Sequence, residues 1–324
     1  MSKLVNFIQL VEEAIQDKGF KKEPISLYEP ISYTMALGGK RVRPALLLMA
    51  NDLFGGTANR ALNAALAIEI FHNFTLVHDD IMDNAPVRRG KPTVFKKWNV
   101  PTAILSGDVM LVEAYQLLCD YEPELLPHLL KLFNKTAVEV CEGQQYDMLF
   151  ENASDVSIDD YLKMIELKTA VLLGASLKMG ALIAKATRND AQHLYEFGKN
   201  IGVAFQLMDD ILDVYGDPKK FGKQVGGDIL ANKKTYLLLQ ALHKAEGKLH
   251  KELEFCLTSK TLSPENKITR VKAIYSQLKI KETAIAEMNH FYNTAIAHLD
   301  SVNAPQDKKS AFEDFAKKLM HREQ

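Results

Sequence analysis

Residues 66–90, LAIEIFHNFTLVHDDIMDNAPVRRG, are the stretch on which the interpretation of the rest of the chain depends. The segment begins apolar and ends in three acids and two arginines: Asp79, Asp80, Asp83, Arg88 and Arg89. A helix advances about 100° per residue, so Asp79 and Asp83 lie roughly 40° apart and share one face. The pattern therefore predicts a buried helix with a pair of carboxylates at its carboxyl end.

A cation would stabilise this helix end. Acids there repel one another, and the helix dipole is already negative at that end. Closely spaced carboxylates suit hard ions such as Mg²⁺, whose coordination is usually completed by water and substrate phosphates. Arg88 and Arg89 supply the planar donors that phosphate oxygens prefer. An acidic helix end before a basic loop is also common on solvated surfaces, so this cluster alone leaves both interpretations open.

A second acidic cluster favours the metal interpretation. Residues 202–213, GVAFQLMDDILD, repeat the pattern Asp-Asp-Ile-x-Asp. Four polar residues at i, i+3, i+4 and i+7 form one stripe on an otherwise apolar helix: Gln206, Asp209, Asp210 and Asp213. Two such stripes facing each other would form a cage for several divalent ions and one polyphosphate, which a chance surface pattern does not explain.

A basic segment, LGGKRVRP at residues 37–44, joins two predicted helices. Its two glycines free the backbone, and Lys40, Arg41 and Arg43 follow them. The segment is equally consistent with a glycine helix cap whose basic residues offset the helix dipole and with an anion-binding site.

Helical periodicity recurs along the whole chain, without convincing β-strand alternation. Predicted helices cover 3–18, 58–83, 102–119, 126–150 and 190–215, one begins near Ser32, and one runs on without a break from a capping box at Ser157 and Asp160. No low-complexity linker interrupts them. We therefore predict an all-α protein with one domain, residues 1–324.

The composition is that of an ordinary globular protein. Of 324 residues, 47% are hydrophobic and 25% charged, and the net charge of −1 gives no field that attracts nucleic acid or an anionic membrane. Cys119, Cys141 and Cys256 lie far apart, as expected for small core residues in a reducing compartment. No signal-peptide pattern and no run of about 18 apolar residues is found. We expect a cytoplasmic protein that binds no nucleic acid and is not integral to a membrane.

Six motifs occur in a specific order: GGKRVRP, HNFTLVHDDIMD, RRG, KT, FQLMDDILD and FGKQVGGDI. They span residues 38–235, and their order resembles that of the trans-isoprenyl diphosphate synthases, the polyprenyl synthetase family. The resemblance implies the isoprenoid synthase fold, a bundle of long, mostly antiparallel helices around a central apolar cavity, usually as a homodimer. It also implies a short-chain prenyltransferase that condenses isopentenyl diphosphate with dimethylallyl, geranyl or farnesyl diphosphate and releases diphosphate.

The resemblance also implies roles for individual residues. Three Mg²⁺ ions would be bound by Asp79, Asp83 and Asp209, with support from Asp80, Asp210 and Asp213. Isopentenyl diphosphate would be held by Lys40, Arg43, His72 and Arg89. The allylic diphosphate would be held by Arg88, Lys168, Lys223 and Lys233. The residues with catalytic roles would be Lys168, Thr169 and Gln206, the last two near the reacting carbons. One departure from the family is Ala231-Asn232 in place of a frequent Glu-Gly, but asparagine also adopts a left-handed cap.

Product length depends in this family on the residues four and five positions before the first aspartate motif, here Thr75 and Phe74. An aromatic residue only at the fifth position, with no insertion in the motif, resembles synthases that make the C20 product geranylgeranyl diphosphate. Ideal helix geometry places Phe74 roughly 140° from Asp79 and Phe71 roughly 80° from it, so Phe71 equally qualifies as the floor of the cavity. We expect a short-chain product, C20 ahead of the C15 product farnesyl diphosphate.

Three other functions remain open at this stage. A terpene cyclase would share the first acidic motif but typically carries an Asn/Ser/Glu pattern in place of the second. A head-to-head synthase of the squalene or phytoene type would lack the GKR-x-R-P residues. A non-catalytic subunit of a heteromeric prenyl synthase would have lost carboxylates, whereas all six are present here.

Overall fold

The computed structural model describes residues 2–217 and 225–320, and 79% of it is helical. The helices are α1 (Ser2–Lys18), α2 (Ile25–Ala36), α3 (Val42–Leu53), α4 (Ala58–Met82), α5 (Val94–Lys97), α6 (Val100–Cys119), α7 (Leu126–Asn152), α8 (Ile158–Ile165), a π-helix (Glu166–Ala170), α9 (Val171–Ile183), α10 (Arg188–Tyr215), α11 (Gly227–Leu230), α12 (Tyr236–Lys244), α13 (Gly247–Thr258), α14 (Pro264–Gln277), α15 (Ile280–Asp300) and α16 (Gln306–Met320). The all-α prediction is confirmed.

The chain divides into two compact units. Unit 1 comprises Met1–Thr136, Leu172–Tyr195 and Ser301–Ala311, and unit 2 comprises Ala137–Val171, Glu196–Asp300 and Phe312–Gln324. The assignment of residues 1–324 to one domain stays a prediction.

In unit 1, α4 is the central helix and packs against α3 and α6. Six consecutive residues in its middle are at most 5% exposed: Leu66, Ala67, Ile68, Glu69, Ile70 and Phe71. Six positions exceed one full turn, so the helix is enclosed on every side. Small residues such as Ala61, Ala64 and Ala65, all buried, let neighbouring helices come close. This enclosed helix carries the first acidic cluster at its carboxyl end.

A small β-hairpin follows α4, where only a loop was expected. Strands β1 (Val87–Arg88) and β2 (Lys91–Pro92) pair antiparallel. The two residues between them, Arg89 and Gly90, have φ angles of 52° and 74°. Positive φ at both central positions is the type I′ geometry that suits the twist of a tight hairpin. The hairpin therefore determines the positions of Arg88 and Arg89 just beyond the acidic cluster.

In unit 2, an apolar core surrounds α10. Its buried members include Tyr161, Leu207, Ile211, Leu237 and Tyr275, from α8, α10, α12 and α14. Leu207 and Ile211 are four residues apart and lie on the same face of α10. Burial of this face leaves Asp209 and Asp213 on the other side of the helix, whereas Asp210 is itself buried.

The helix predicted to run on from Ser157 is interrupted. Its capping box is confirmed, since the Asp160 N–H donates to Ser157 Oγ at 3.0 Å and the Ser157 N–H donates to the Asp160 carboxylate at 3.1 Å. A five-residue π-helix, Glu166–Ala170, then separates α8 from α9, and the Val171 N–H donates to the Glu166 carbonyl five residues back. Periodicity did not predict this change, because one wide turn hardly alters the spacing of apolar residues.

One further expectation, the start of the second helix, was wrong. Helix α2 begins at Ile25, not near Ser32, and continues through Pro30. An internal proline removes one backbone hydrogen bond, a cost offset here by the burial of Ile31 and Met35 just beyond it.

The cysteines differ from one another. Cys256 is buried, as expected, but Cys119 and Cys141 are exposed, and none of the three is in a disulfide. Cys119 ends α6, and Cys141 lies on the outer face of α7.

One helix of the described part, Val100–Cys119, is long and apolar enough by length and composition to cross a membrane. This is weak evidence for a membrane span, because core helices share these properties, and 44% of the apolar window is already buried inside the protein. The helix also carries Asp108 and the buried Glu113.

Candidate active site

The acids at the end of α4 have different surroundings. Asp80 is buried and paired with Arg88, whose Nε lies 2.9 and 3.0 Å from the two carboxylate oxygens and whose second terminal nitrogen lies 2.7 Å from Oδ1. Burial raises the pKa of Asp80, while the hydrogen bond and charge of Arg88 oppose that rise. Asp79 is half-buried, and Asp83, the C-cap residue, is exposed. Asp80 therefore holds Arg88, and Asp79 and Asp83 form the more accessible pair.

Four arginines affect His72 electrostatically: Arg41, Arg43, Arg88 and Arg89. A terminal nitrogen of Arg43 lies 3.3 Å from His72 Nε2. Burial, followed by the positive charge of these arginines, holds the pKa of His72 well below its ordinary value. The imidazole is therefore neutral at pH 7, and its Nε2 can accept a hydrogen bond from Arg43.

We call the group of Arg43, His72 and Arg89 the basic pocket, and none of its three side chains forms an ion pair with a carboxylate of the described residues. Burial lowers the pKa of both Arg43 and Arg89, with Glu69 as an opposing influence. The Arg43 Nε is buried and has no hydrogen-bond partner among residues 2–217 and 225–320. Partly desolvated cations with lowered pKa values are stabilised by any anion that binds beside them. The basic pocket is therefore suited to a phosphate or diphosphate group.

The glycine pair before α3 contacts the basic pocket directly. Arg89 donates a hydrogen bond to the Gly38 carbonyl, and its guanidinium lies over Gly39. A Cβ on Gly39 would come within 3.1 Å of both terminal nitrogens of Arg89, and Gly39 has a φ of 154°. Lys40, the next residue, is exposed. The basic segment is therefore more than a helix cap, because its backbone positions an arginine from the hairpin.

On α10, Asp210 and Asp213 accept hydrogen bonds from protein groups. Asp210 is buried and accepts hydrogen bonds from the Tyr161 hydroxyl at 2.5 Å and from the Tyr236 N–H and Gln206 Nε2 at 3.4 Å each. Burial raises the pKa of Asp210 to about 7, although the Tyr161 hydrogen bond opposes the rise. Asp213 accepts from the Asp228 N–H at 3.0 Å. These contacts hold α10 to its neighbours and fix the direction of its acidic face.

The π-helix carries Lys168 and Thr169, both half-buried. Helices α7 and α10 approach it at glycines. A Cβ on Gly143 would lie 2.2 Å from the Lys168 backbone nitrogen, and a Cβ on Gly202 would lie 2.7 Å from Ala170 Cα. These distances are too short for any side chain. The wide turn thus lies between two glycine surfaces that determine its position.

Asp147 of α7 is a functional candidate that sequence analysis did not select. Its Oδ2 lies 2.6 Å from Lys168 Nζ, so it orients the lysine. The only signal in the sequence was an acidic residue on a largely apolar helix face. The separation of 21 positions between the two partners hid the contact.

Lys233 is exposed and follows Asn232, which has a φ of 53°. The expectation that Asn232 adopts a left-handed conformation is confirmed. Its side chain donates to the Leu257 carbonyl at 2.9 Å and accepts from Lys267 at 2.6 Å, which holds the turn in place. Lys223 lies outside the described residues.

The residues expected to limit product length lie in an aromatic cluster. Phe71 is fully buried, with ring centroids 5.6 Å from Phe74 and 5.1 Å from Phe133. Phe74 also packs on His78 at 4.8 Å, and the Phe133 ring packs on Tyr115 at 5.0 Å. Thr75 donates instead to the His72 carbonyl at 2.8 Å. Phe71 thus connects Phe74 with Phe133 and, through Phe133, with Tyr115.

The carboxylates suit Mg²⁺ only if other ligands join them. Among residues 2–217 and 225–320, no three His, Cys, Asp or Glu side chains converge on a metal site. Asp79 and Asp83 provide the oxygen donors that Mg²⁺ prefers, but the ion usually keeps several waters and completes its shell with phosphate oxygens. The donor set therefore fits an ion that arrives with a diphosphate.

The chain is similar to known proteins over most of its length. Residues 24–278 match the family described as Polyprenyl synthetase. The geranylgeranyl diphosphate synthase of Sulfolobus acidocaldarius is 40% identical over 87% of this chain and 86% of its own. A geranylfarnesyl diphosphate synthase from Natronomonas pharaonis is 36% identical over 72% of this chain and 74% of its own. A crystal structure of a geranylgeranyl pyrophosphate synthase superposes with a TM-score of 0.94 at 43% identity and covers 100% of both chains.

Proposed function

Because this chain belongs to the polyprenyl synthetase family and is a short-chain prenyltransferase, we propose that it couples isopentenyl diphosphate to allylic diphosphates, with geranylgeranyl diphosphate as its main product. The observation that carries the proposal is the basic pocket, where Arg43 contacts a neutral His72 and its buried Nε has no hydrogen-bond partner among the described residues. It lies on the same unit as the Asp79–Asp83 pair.

The proposed binding of isopentenyl diphosphate follows from this pocket. Its diphosphate contacts Arg43, His72 and Arg89, with the exposed Lys40 beside them. Neutral His72 is important here, because a protonated ring would add repulsion to an already cationic site. The allylic diphosphate contacts Arg88, Lys168, Lys223 and Lys233, of which Arg88 is held by Asp80 and Lys168 by Asp147.

We propose that Asp79, Asp83 and Asp209 bind Mg²⁺, three ions when diphosphate is present, and that Asp80, Asp210 and Asp213 support them. The contacts of Asp80 with Arg88 and of Asp210 with Tyr161 support this division. Bound Mg²⁺ supplies positive charge that stabilises diphosphate as a leaving group.

Side chains of the protein assist the departure of diphosphate and the formation of the new carbon–carbon bond. Arg88 and Lys168 stabilise the charge that develops on the departing diphosphate as the allylic carbon–oxygen bond breaks. The alkene of isopentenyl diphosphate then bonds to the allylic carbon, and a proton leaves for the released diphosphate. Thr169 and Gln206 lie near the reacting carbons in this proposal. Breaking the carbon–oxygen bond leaves an allylic cation, and the apolar cavity that the family resemblance implies would keep water away from it.

We propose a homodimer and a cytoplasmic location. Helix α6 exposes Ile104, Leu105 and Val112, which are between 43% and 58% accessible and lie on one face at helical spacing. An apolar face of this kind on a globular protein commonly marks an interface, and we assign it to a second copy. The three cysteines, none of which is in a disulfide, fit a reducing compartment.

The proposed function is tested with labelled isopentenyl diphosphate and each allylic starter, followed by chromatography of the dephosphorylated products. We expect a C20 product, loss of activity in EDTA, and longer products from Phe74→Ala or Phe71→Ala, whichever residue closes the cavity. Phe255→Ala is the matched control, because Phe255 is an exposed aromatic residue of α13 outside the aromatic cluster. A wild-type product of C30 or longer would exclude the short-chain assignment, and unchanged lengths in both Phe variants would place the floor on another helix.

A further inference from the structure

Arg41 lies between Lys40 and Arg43 in the basic segment, but its environment is the opposite of theirs. Its side chain is fully buried, and each guanidinium nitrogen has a protein partner. Nε lies 2.8 Å from a Glu12 oxygen, and the two terminal nitrogens lie 2.6 Å from a Glu69 oxygen and 2.6 Å from the Met35 carbonyl. All three guanidinium nitrogens are therefore held by protein groups, and with no exposed surface the Arg41 side chain cannot reach a phosphate.

The backbone at Arg41 is also unusual. It is the N-cap residue of α3 with φ 45° and ψ 33°, a left-handed conformation. For a residue other than glycine this conformation costs about 1 kcal/mol. The three side-chain contacts hold the residue in place despite this cost. They tie the segment to α1 through Glu12, to α2 through Met35 and to α4 through Glu69.

Glu69 connects Arg41 to the turn of α4 that carries His72. The Glu69 carboxylate oxygen that accepts from Arg41 also accepts from Asn73 Nδ2 at 3.1 Å. Asn73 Nδ2 donates in addition to the Glu69 backbone carbonyl at 2.8 Å. His72 lies three residues after Glu69 and contacts Arg43 at 3.3 Å. The basic segment and α4 are thus joined twice, once through the buried pair and once within the basic pocket.

Arg41 and Arg43 also differ in how their positive charges are neutralised. Two carboxylates, Glu12 and Glu69, neutralise Arg41 inside the protein. Arg43, two residues later, is buried against a neutral histidine and keeps an unpartnered Nε. Neighbouring arginines therefore have different roles: Arg41 is neutralised by the protein, and Arg43 remains available for a ligand.

We propose that Arg41 and Glu69 are a positioning pair for the isopentenyl diphosphate site: they place Lys40 and Arg43 at a set distance from His72 without touching the substrate. This inference rests on the proposed function. It predicts a selective effect, because the pair acts on one of the two diphosphate sites.

The test uses Glu69→Gln and Arg41→Lys in the full chain. Gln keeps the shape of Glu69 but removes its charge, and Lys keeps the charge of Arg41 but not its planar donors. We expect the KM for isopentenyl diphosphate to rise about tenfold and its Kd by calorimetry to rise equally, as the loss of one well-placed phosphate contact does. The kcat and the KM for the allylic substrate should stay within about twofold of wild type.

The control is Glu113→Gln. Glu113 is a second buried acid of unit 1, 3.1 Å from Lys18 and 2.5 Å from Lys22. Both Glu113→Gln and Glu69→Gln should lower the melting temperature, but Glu113→Gln should leave both KM values unchanged. An equal rise in both KM values, no rise, or the same rise in Glu113→Gln would overturn the inference. So would failure of both test variants to fold while the control folds. A wild-type chain that does not bind isopentenyl diphosphate would overturn the proposed function itself.

Discussion

Asp79 and Asp80 are adjacent in the sequence but occupy different surroundings. Asp80 is buried against Arg88, and Asp79 is half-buried on the face that it shares with Asp83. We expect Asp79→Ala to lower kcat about 100-fold or more, because it removes a proposed ligand of the ions that stabilise the leaving group. The measurement is steady-state turnover at saturating Mg²⁺, with circular dichroism to confirm normal helix content.

Asp80→Asn should act differently. It breaks a buried bidentate pair, which typically costs about 3 kcal/mol of the free energy of unfolding, and it frees Arg88. We expect a lower denaturation midpoint in urea together with a raised KM for the allylic substrate. Asp17→Ala, at an exposed acid of α1, is the control and should change neither quantity. Identical kinetics for Asp79→Ala and Asp80→Asn would contradict the division of roles.

The basic residues give a second prediction at this scale. Arg43→Ala and His72→Ala should mainly raise the KM for isopentenyl diphosphate, by about tenfold, whereas Lys168→Ala should mainly raise that for the allylic substrate. Each variant should affect mainly one substrate because the two sets of contacts are separate: Arg43 and His72 contact each other, whereas Lys168 is held by Asp147. Initial rates with each substrate varied in turn provide the measurement. Equal effects of all three variants on both substrates would show that this partition is incorrect.

At the scale of elements, the π-helix is the feature that most affects the site. Its position depends on the absence of side chains at Gly143 and Gly202. We expect Gly143→Ala to displace Lys168 and Thr169, because the added Cβ would lie 2.2 Å from the Lys168 nitrogen. Turnover should fall at least tenfold with the largest loss in allylic binding, measured by kcat and KM.

The control for Gly143→Ala is Glu142→Ala, one residue earlier on the exposed side of α7. Alanine is the better helix former in both variants, so any gain in helix propensity is common to them. A Gly143→Ala enzyme with normal kinetics would mean that the π-helix absorbs the side chain without moving Lys168.

At the scale of the whole molecule, the exposed face of α6 leads to a prediction about assembly. We expect Leu105→Glu to convert the proposed dimer to monomer in light scattering coupled to size exclusion, since it places a charge in an apolar interface. Phe255→Glu, at an exposed aromatic residue of α13, is the matched control and should leave the molar mass unchanged. A monomeric wild-type protein would contradict the assignment of this face.

The sequence by itself determined the family, the all-α class and the location of both acidic clusters. These properties are local: the 3.6-residue period, the Asp-Asp-Ile-x-Asp repeat and the order of the motifs are all read within short segments. The left-handed conformation of Asn232 was predictable for the same reason, since it depends on a single residue and its neighbours.

Only the tertiary structure decided which members of each motif serve the protein and which remain for ligands. Arg41 and Arg43 look alike in sequence, but Arg41 is neutralised by carboxylates 29 and 28 residues away. Asp210 is bound by Tyr161, 49 residues earlier, and Lys168 by Asp147. The π-helix and the exposure of two cysteines likewise depend on which helices pack against them. Such pairings join distant parts of the chain, and periodicity, which reports only one face of one helix, carries no information about the partner.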